Sequence, residues 1–340
     1  MTSTVRTPSS SSDLAGRRRL LAALAASPLS LALPSAFAQN AKGLGDKPLR
    51  LIVPFPAGGG VDLFARPLAP ALSEVLGVPV LVENIGGAAG RIGTQRVAQA
   101  ARDGHTLLLT NDTLVASDAV AGADTLLPQL KPVTLGISSC NLFVTHPKSG
   151  ITDPASYLHQ LKAQNGQLTI GVPGWGTAHH LTSAALNHQL GVSAGYVPYR
   201  GGAPLIQDLL NGTLSAGVVT LAAAVAHIQA GTLVGIAVTS KARAPALPKV
   251  PTLDESIAPG FLHKTWQGIL APAGTPDAIT AQLHAAIVQA IKSPRVQEVL
   301  PSQGFDTEGL PGADFAPLLA SSLRNFQTVV KATHIQAAQG

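Results

Sequence analysis

A glycine-rich segment near residue 55 has the composition of an anion-binding turn. Residues 48–62 read PLRLIVPFPAGGGVD, an apolar run that leads into three glycines and then into a helical pattern. A strand that passes through glycines into a helix leaves several backbone N–H groups without partners, all directed at one place. Because the positive end of the helix dipole lies behind those groups, such a turn attracts anions. The segment therefore predicts a binding site for a small anion.

Two other patterns could support catalysis or metal binding. Residues 191–195, GVSAG, match the G-x-S-x-G pattern of serine hydrolases, which needs a strand before the serine and a helix after it. Here a helical pattern comes first and a strand follows. His179 and His180 point about 100° apart on a helix, and no HExxH or cysteine cluster accompanies them. We predict no catalytic residue, no metal and no cofactor, and leave open whether His179 reaches a ligand.

Apolar runs and helical patterns alternate along the chain. Strands are predicted at 49–53, 78–83, 106–110, 133–138, 141–145, 168–172, 195–199, 214–220, 234–239 and 266–271. Helices are predicted after the first glycine turn and at 92–101, 157–164, 179–190, 204–211 and 222–230, with three more beyond residue 275. This alternation is typical of an α/β fold with doubly wound, mostly parallel sheets.

Residues 1–38 have the pattern of an export signal. Residues 17–19 are arginines, the following apolar run is interrupted by prolines, and residues 36–38 are the small-residue sequence AFA. We predict a secretory signal peptide that is cleaved near Ala38, and leave open whether export uses the general or the twin-arginine route. No later segment has the pattern of a membrane span.

The composition excludes some partners. Removing residues 1–38 takes away four arginines and one aspartate, so the formal charge falls from +5 to +2. Since no basic patch remains, nucleic acid is not expected as a partner. The single cysteine, Cys140, cannot form an internal disulfide. The remaining chain of about 300 residues is long enough for two domains.

Several segments together resemble one family. They are LRLIVPFPAGGGVD at 49–62, PVLVENIGGAAGRIG at 79–93, GWGTAHHL at 174–181, VPYRGGAPLIQDLL at 197–210, ALPKVPTL at 246–253 and WQGILAPAGTP at 266–276. In order and composition, the chain resembles the extracytoplasmic solute-binding proteins of the tripartite tricarboxylate transporters, the Bug family.

The resemblance implies a fold and a division into domains. The family fold is a two-domain α/β periplasmic binding protein (type II-like), in which two crossing strands join the domains and the domains close on a ligand. We expect residues 40–142 and 266–340 to form the first domain and residues 143–265 the second.

The resemblance also implies a ligand site between two loops, 55–62 and 174–177. Both loops follow strands and precede helices, so each presents N–H donors to an anion. The residues expected to bind the ligand are Phe55, Ala57, Gly58, Gly59, Asp62, Asn111, Gly174, Trp175, Gly176, Thr177, Tyr199 and Thr220.

Several positions depart from the family pattern, among them Pro67, Arg91, Trp175 and Thr220. Pro67 and Pro70 fall in the helix after the first loop, so we expect that helix to start late or to bend. Trp175 and Arg91 stand where small polar residues are common, and whether Arg91 reaches the cleft is left open. Thr220 takes the place of an aspartate, which argues against amino-acid ligands because an ammonium group needs an acceptor.

These observations predict an exported, monomeric, periplasmic solute-binding protein. It would capture a small organic anion, in particular a carboxylate, and deliver it to a membrane permease of the tripartite tricarboxylate type. Two alternatives stay open: a ligand-sensing subunit of a membrane signalling protein, and a periplasmic hydrolase that uses Ser193 or the histidines.

Overall fold

The structure is a computed structural model that describes residues 1–4, 45–123 and 125–337. The predicted signal peptide lies almost wholly outside the described residues. None of the helices in the described ranges has the length and apolarity that crossing a bilayer requires.

Strands and helices alternate as the sequence predicts. The strands are β1 Leu49–Val53, β2 Val80–Asn84, β3 Thr106–Asn111, β4 Leu130–Thr145, β5 Thr169–Val172, β6 Gly195–Pro198, β7 Ala216–Thr220, β8 Val234–Val238, β9 Lys264–Pro272 and β10 Asp306–Pro311. The helices are α1 Gly60–Leu76, α2 Arg91–Ala98, α3 Thr113–Ala121, α4 Pro154–Gln164, α5 Ala178–Leu190, α6 Gly202–Leu210, α7 Val225–Gln229, α8 Asp277–Ile291, α9 Pro294–Ser302 and α10 Gly312–Thr333.

The first sheet has apolar cores on both faces. Strand β1 pairs in parallel with β2 and β3, and the sheet continues through antiparallel pairs from β3 to β9, β9 to β4 and β4 to β10. Because successive strand side chains point to opposite faces, Leu51 and Val53 pack against α1, α8 and α9, while Ile52 packs against α2, α3 and α10. Because apolar layers pack on both faces of the sheet, the carboxyl ends of β1 and β3 are held in place at one edge of it.

The second sheet is built in the same manner. Strand β5 pairs in parallel with β6 and β7, and both β7 and β8 pair antiparallel with β4. One face packs on α6 and α7, and the other packs on α4 and α5. The carboxyl ends of β5, β6 and β7 then form a second edge, each followed by a turn into a helix or a 3₁₀ turn.

Strand β4 runs through both sheets, which corrects the expected topology. Residues 133–138 and 141–145 were predicted as separate strands, but one continuous strand pairs with β9 up to Cys140 and with β7 from Asn141. Since β4, β8, β9 and β10 all make antiparallel pairs, the sheets are mixed rather than mostly parallel. The division into domains at residues 142 and 266 stays a prediction.

Helix α1 begins directly after the glycine turn despite its two prolines. It starts at Gly60, directly after the glycine turn, and continues past Pro67 and Pro70 to Leu76. The expectation of a late start is therefore wrong. Pro70 is exposed and Pro67 half-buried, whereas Phe64, Leu68 and Leu72 are fully buried. The apolar stripe therefore holds the helix against the core, and water can solvate the carbonyl groups that the prolines leave unpaired.

Candidate functional site

Two adjoining cavities lie at the facing edges of the two sheets. The outer cavity has a volume of about 1040 Å³ and the inner cavity about 40 Å³. Both are lined by Phe55 and Pro56 from the turn after β1, by Pro173 after β5 and by Gly201 after β6. A site between the carboxyl ends of strands is the usual ligand position in open α/β sheets.

Two helix N-termini without side-chain caps border the inner cavity. Helix α1 begins at Gly60 after the N-cap Gly59, and α6 begins at Gly202 after the N-cap Gly201. Neither N-cap residue provides a side-chain hydrogen bond to its helix. The N–H groups of a first turn have no intrahelical partners, and the helix dipole adds positive potential there. The inner cavity is therefore suited to an anionic group.

The polar side chains of the inner cavity are uncharged. They belong to Asn111, Thr113, Thr177, His179 and Thr220, and among the described residues no aspartate or glutamate lines either cavity. His179 Nε2 lies 3.1 Å from Thr220 Oγ1. Burial lowers the pKa of His179 to about 4, so its ring is neutral near pH 7. His179 therefore lies at the cleft as a neutral hydrogen-bonding group.

The outer cavity combines aromatic walls with two arginines. Phe55, Trp175 and Tyr199 provide the aromatic surface, and Arg91 and Arg200 provide the positive charge. Arg91 Nη1 donates to Asp118 Oδ1 at 2.9 Å. The buried Asp118 carboxylate also accepts from the backbone N–H groups at 126 and 127. Arg91 thus reaches the cleft, and a buried carboxylate compensates its charge.

The structure brings most of the predicted site residues to these two cavities. Gly59, Asn111, Thr177 and Thr220 line the inner one, Gly174, Trp175, Gly176 and Tyr199 line the outer one, and Phe55 lines both. Ala57, Gly58 and Asp62 line neither, so the structure gives no support for ligand contact by these three residues.

Asp62 holds the first glycine turn in place. Its carboxylate accepts from Gly58 N–H at 2.9 Å, from Asn84 Nδ2 at 3.0 Å and from the Arg66 guanidinium. Burial raises the pKa of Asp62, but the hydrogen bonds from Arg66, Gly58 and Asn84 together hold that pKa below its ordinary value. The prediction that the Gly58 N–H is free for a ligand is therefore corrected, because Asp62 occupies it.

The donors of the second loop are also partly engaged. The Thr177 hydroxyl caps α5: it accepts from His180 N–H at 3.3 Å and donates to the Gly174 carbonyl at 2.8 Å. Gly176 N–H donates to His180 Nδ1 at 3.1 Å. Trp175 packs its ring 4.3 Å from that of His180 and donates its indole N–H to the Gln336 carbonyl at 2.8 Å. These contacts within the chain therefore hold the shape of the loop.

Sequence reasoning missed the third turn of the site. Residues 199–202, YRGG, follow β6 and lead into α6, which is the same strand, glycine and helix pattern as in the other two turns. Gly201 and Gly202 line the inner cavity, and Arg200 lines the outer one. The signal was present in the sequence, but of these four residues we named only Tyr199 as a ligand contact and used the others to establish the resemblance.

Of the residues considered for catalysis or metal binding, His179 lines the inner cavity and Ser193 lies apart from both cavities. Ser193 is on the turn from α5 to β6, outside the lining of both cavities. Within the described ranges, no group of three His, Cys, Asp or Glu side chains is placed to hold a metal ion. The hydrolase alternative based on Ser193 therefore loses its geometric basis.

Two sheets that share β4, with a cleft at their facing edges, define the class of periplasmic binding proteins. The chain is similar to the solved structure of the periplasmic binding protein BugD, with a TM-score of 0.80 and 28% identity over 85% of this chain and 98% of that chain. It is also similar to MatC from Rhodopseudomonas palustris with bound malate, with a TM-score of 0.79 and 28% identity over 83% of this chain and 98% of that chain. The two-domain α/β fold predicted from the sequence is confirmed.

The family model described as tripartite tricarboxylate transporter family receptor matches residues 64–335. A protein encoded in the tcbD-tcbE intergenic region of Pseudomonas sp. (strain P51) is 34% identical over 96% of this chain and 98% of its own length. The chain belongs to the tripartite tricarboxylate transporter receptor family, as the sequence motifs predicted.

Proposed function

We propose that this protein is a periplasmic receptor that binds a small organic carboxylate and delivers it to the membrane permease of a tripartite transporter. Helices α1 and α6 both begin at the inner cavity without a side-chain cap, and no acidic residue in the described part of the chain lines that cavity. This observation carries the proposal. The malate bound to the related MatC structure supports the same ligand class.

The inner cavity is suited to one carboxylate group. A volume of about 40 Å³ accommodates a few water molecules or a group of similar size. Amide donors at both helix starts, with the neutral Thr220 and His179 beside them, compensate the negative charge without a cation. The larger outer cavity then holds the rest of the ligand. When both edges of the cleft contact the ligand, fixed protein donors replace the water molecules that hydrogen-bonded to it. Because only the closed form offers all of these donors, the ligand binds that form more tightly.

The role of the amide donors is tested at Gly202, the first residue of α6. Proline is tolerated at a first helical position and lacks an N–H, so Gly202→Pro removes one donor and preserves the helix. The matched variant Gly202→Ala keeps the N–H, and a Cβ at this position has no atom within 4 Å. We expect Gly202→Pro to bind carboxylates about tenfold more weakly than Gly202→Ala, the scale of one hydrogen bond to a charged group.

Calorimetry with malate, adipate and the uncharged adipamide measures this difference. Binding of the acids but not the diamide is the expected result for the wild-type protein. Equal affinity of the proline and alanine variants, or binding of the diamide as tightly as adipate, would contradict the proposal. Delivery to a permease is tested in cells: deletion of the gene should abolish uptake of the bound acid, and re-expression should restore it.

A further inference from the structure

The two arginines of the outer cavity differ in how their charges are compensated. Arg91 is paired with the buried Asp118, whose side chain is fully buried. Arg200 is exposed, and among the described residues no carboxylate is paired with it. The neighbouring Tyr199 hydroxyl donates to Asp208 at 2.7 Å. Arg200 therefore contributes an uncompensated positive charge to the cavity wall.

The position of Arg200 relates it to both cavities. It lies between Tyr199, which lines the outer cavity, and Gly201, which lines both cavities and is the N-cap of α6. A ligand whose first carboxylate occupies the inner cavity therefore extends along a wall that carries Arg200. A positive charge at the start of a helix is disfavoured by the helix dipole, so this position favours a second anion near Arg200.

We infer that Arg200 is a specificity-determining residue that binds a second anionic group of the ligand, so that the receptor prefers a dianion over a monoanion of the same length. This inference rests on the proposed function, since it assigns the distal end of the same ligand. Arg91 has a different role: with Asp118 it fixes the start of α2 and the end of α3 as a wall of the cavity.

The test compares matched acids. Succinate, adipate and suberate each have a monoacid of equal chain length, namely butyrate, hexanoate and octanoate. By calorimetry at low salt, we expect the wild-type protein to bind at least one diacid about tenfold more tightly than its monoacid, the scale of one hydrogen bond to a charged group. The preference should shrink at high salt, because Arg200 is exposed and its field is screened.

Variants separate the roles of the arginines. Arg200→Gln should lose most of the preference for the diacid while monoacid binding persists, and Arg200→Lys should retain much of the preference. Arg96→Gln, which removes an exposed charge of α2 outside both cavity linings, is the matched control and should behave as wild type. Arg91→Gln should lower stability, because it leaves Asp118 without its cation, and should keep the diacid preference.

The outcomes distinguish this inference from the proposed function. If Arg200→Gln keeps the full preference, or if wild type binds each monoacid as tightly as its diacid, the role of Arg200 is overturned while the carboxylate receptor stands. If wild type binds none of the six acids, both proposals fail for these ligands. If Arg91→Gln, once shown to be folded, loses the preference and Arg200→Gln does not, the roles are reversed and the inference is wrong.

Discussion

Gly60 and Thr220 both line the inner cavity, and they lie so close together that residue 60 has no room for a side chain. A Cβ on Gly60 would stand 2.7 Å from Thr220 Oγ1 and 2.8 Å from Thr220 Cβ, closer than real Cβ contacts. The first residue of α1 and the last residue of β7 therefore approach each other only because residue 60 is glycine. The two sheet edges come together at this contact.

Gly60→Ala should weaken ligand binding without loss of stability. Alanine favours a helix more than glycine does, so the local effect on α1 is neutral or stabilising. The steric conflict with Thr220 opposes the approach of the two edges and should lower affinity for adipate by about tenfold, from an overpacking cost of roughly 1–3 kcal/mol. Calorimetry gives the affinity, urea unfolding the stability, and small-angle scattering the compaction.

A double-mutant cycle identifies the cause. Thr220→Gly removes all three side-chain atoms that a Cβ on Gly60 would meet. In that background Gly60→Ala should cost almost no further affinity. An equal penalty in both backgrounds would mean that the alanine acts through something other than Thr220.

The contact between Gly60 and Thr220 is of a kind that the sequence alone does not reveal, because the two residues are distant along the chain. The alternation of apolar runs predicted the strands, and the glycines after β1 and β5 predicted the turns of the site. That Asp62 occupies the Gly58 N–H, and that Asp118 pairs with Arg91 from 27 residues away, depends on how distant segments pack. The continuous β4 was missed for a similar reason: one strand pairs with two sheets, and pairing partners leave no mark in the local pattern.

Two buried histidines should make stability depend on acid pH. Burial lowers the pKa of His179 and of His180, in each case to about 4. The folded form therefore holds both rings neutral, whereas the unfolded chain binds protons below about pH 6.5. The contribution of the two histidines to the free energy of unfolding should be fully present above about pH 6.5. It should decline as the pH falls towards 4, by about 2 kcal/mol per histidine at pH 5.

Urea unfolding between neutral pH and about pH 5 measures this slope, the change in the free energy of unfolding with pH. His180→Gln should remove close to half of it, since glutamine has no proton to gain. The matched control is His188→Gln, which makes the same substitution at an exposed position near the end of α5. A wild-type stability that is flat over this range would show that neither ring is held neutral.

The carboxyl-terminal segment should influence ligand release through Trp175. The indole N–H donates to the Gln336 carbonyl, and Ala337 lines the outer cavity. Trp175→Phe keeps an aromatic ring beside His180 and removes the donor. We expect ligand dissociation to accelerate by about fivefold, the scale of one neutral hydrogen bond. Stopped-flow fluorescence is poorly suited once Trp175 is lost, so surface plasmon resonance is the measurement.

A truncated chain ending at Ile335 gives the same test from the other partner. It should release ligand as fast as Trp175→Phe, and combining both changes should add little. If the two effects add fully, then Trp175 and the carboxyl-terminal segment act independently.

Thr177 allows capping and ligand charge to be separated. Its hydroxyl caps α5 and its side chain lines the inner cavity, so Thr177→Val should cost about 1 kcal/mol of stability in addition to any loss of affinity.

Asparagine and aspartate both cap helices well, so Thr177→Asn and Thr177→Asp should remain stable. Only aspartate places a negative charge beside the expected carboxylate. At a separation of about 5 Å and an effective dielectric of about 20, that repulsion is about 3 kcal/mol, or roughly 100-fold in affinity. Calorimetry should find Thr177→Asn close to wild type and Thr177→Asp roughly 100-fold weaker in carboxylate binding. Equal binding by the two variants would place the anion outside the inner cavity.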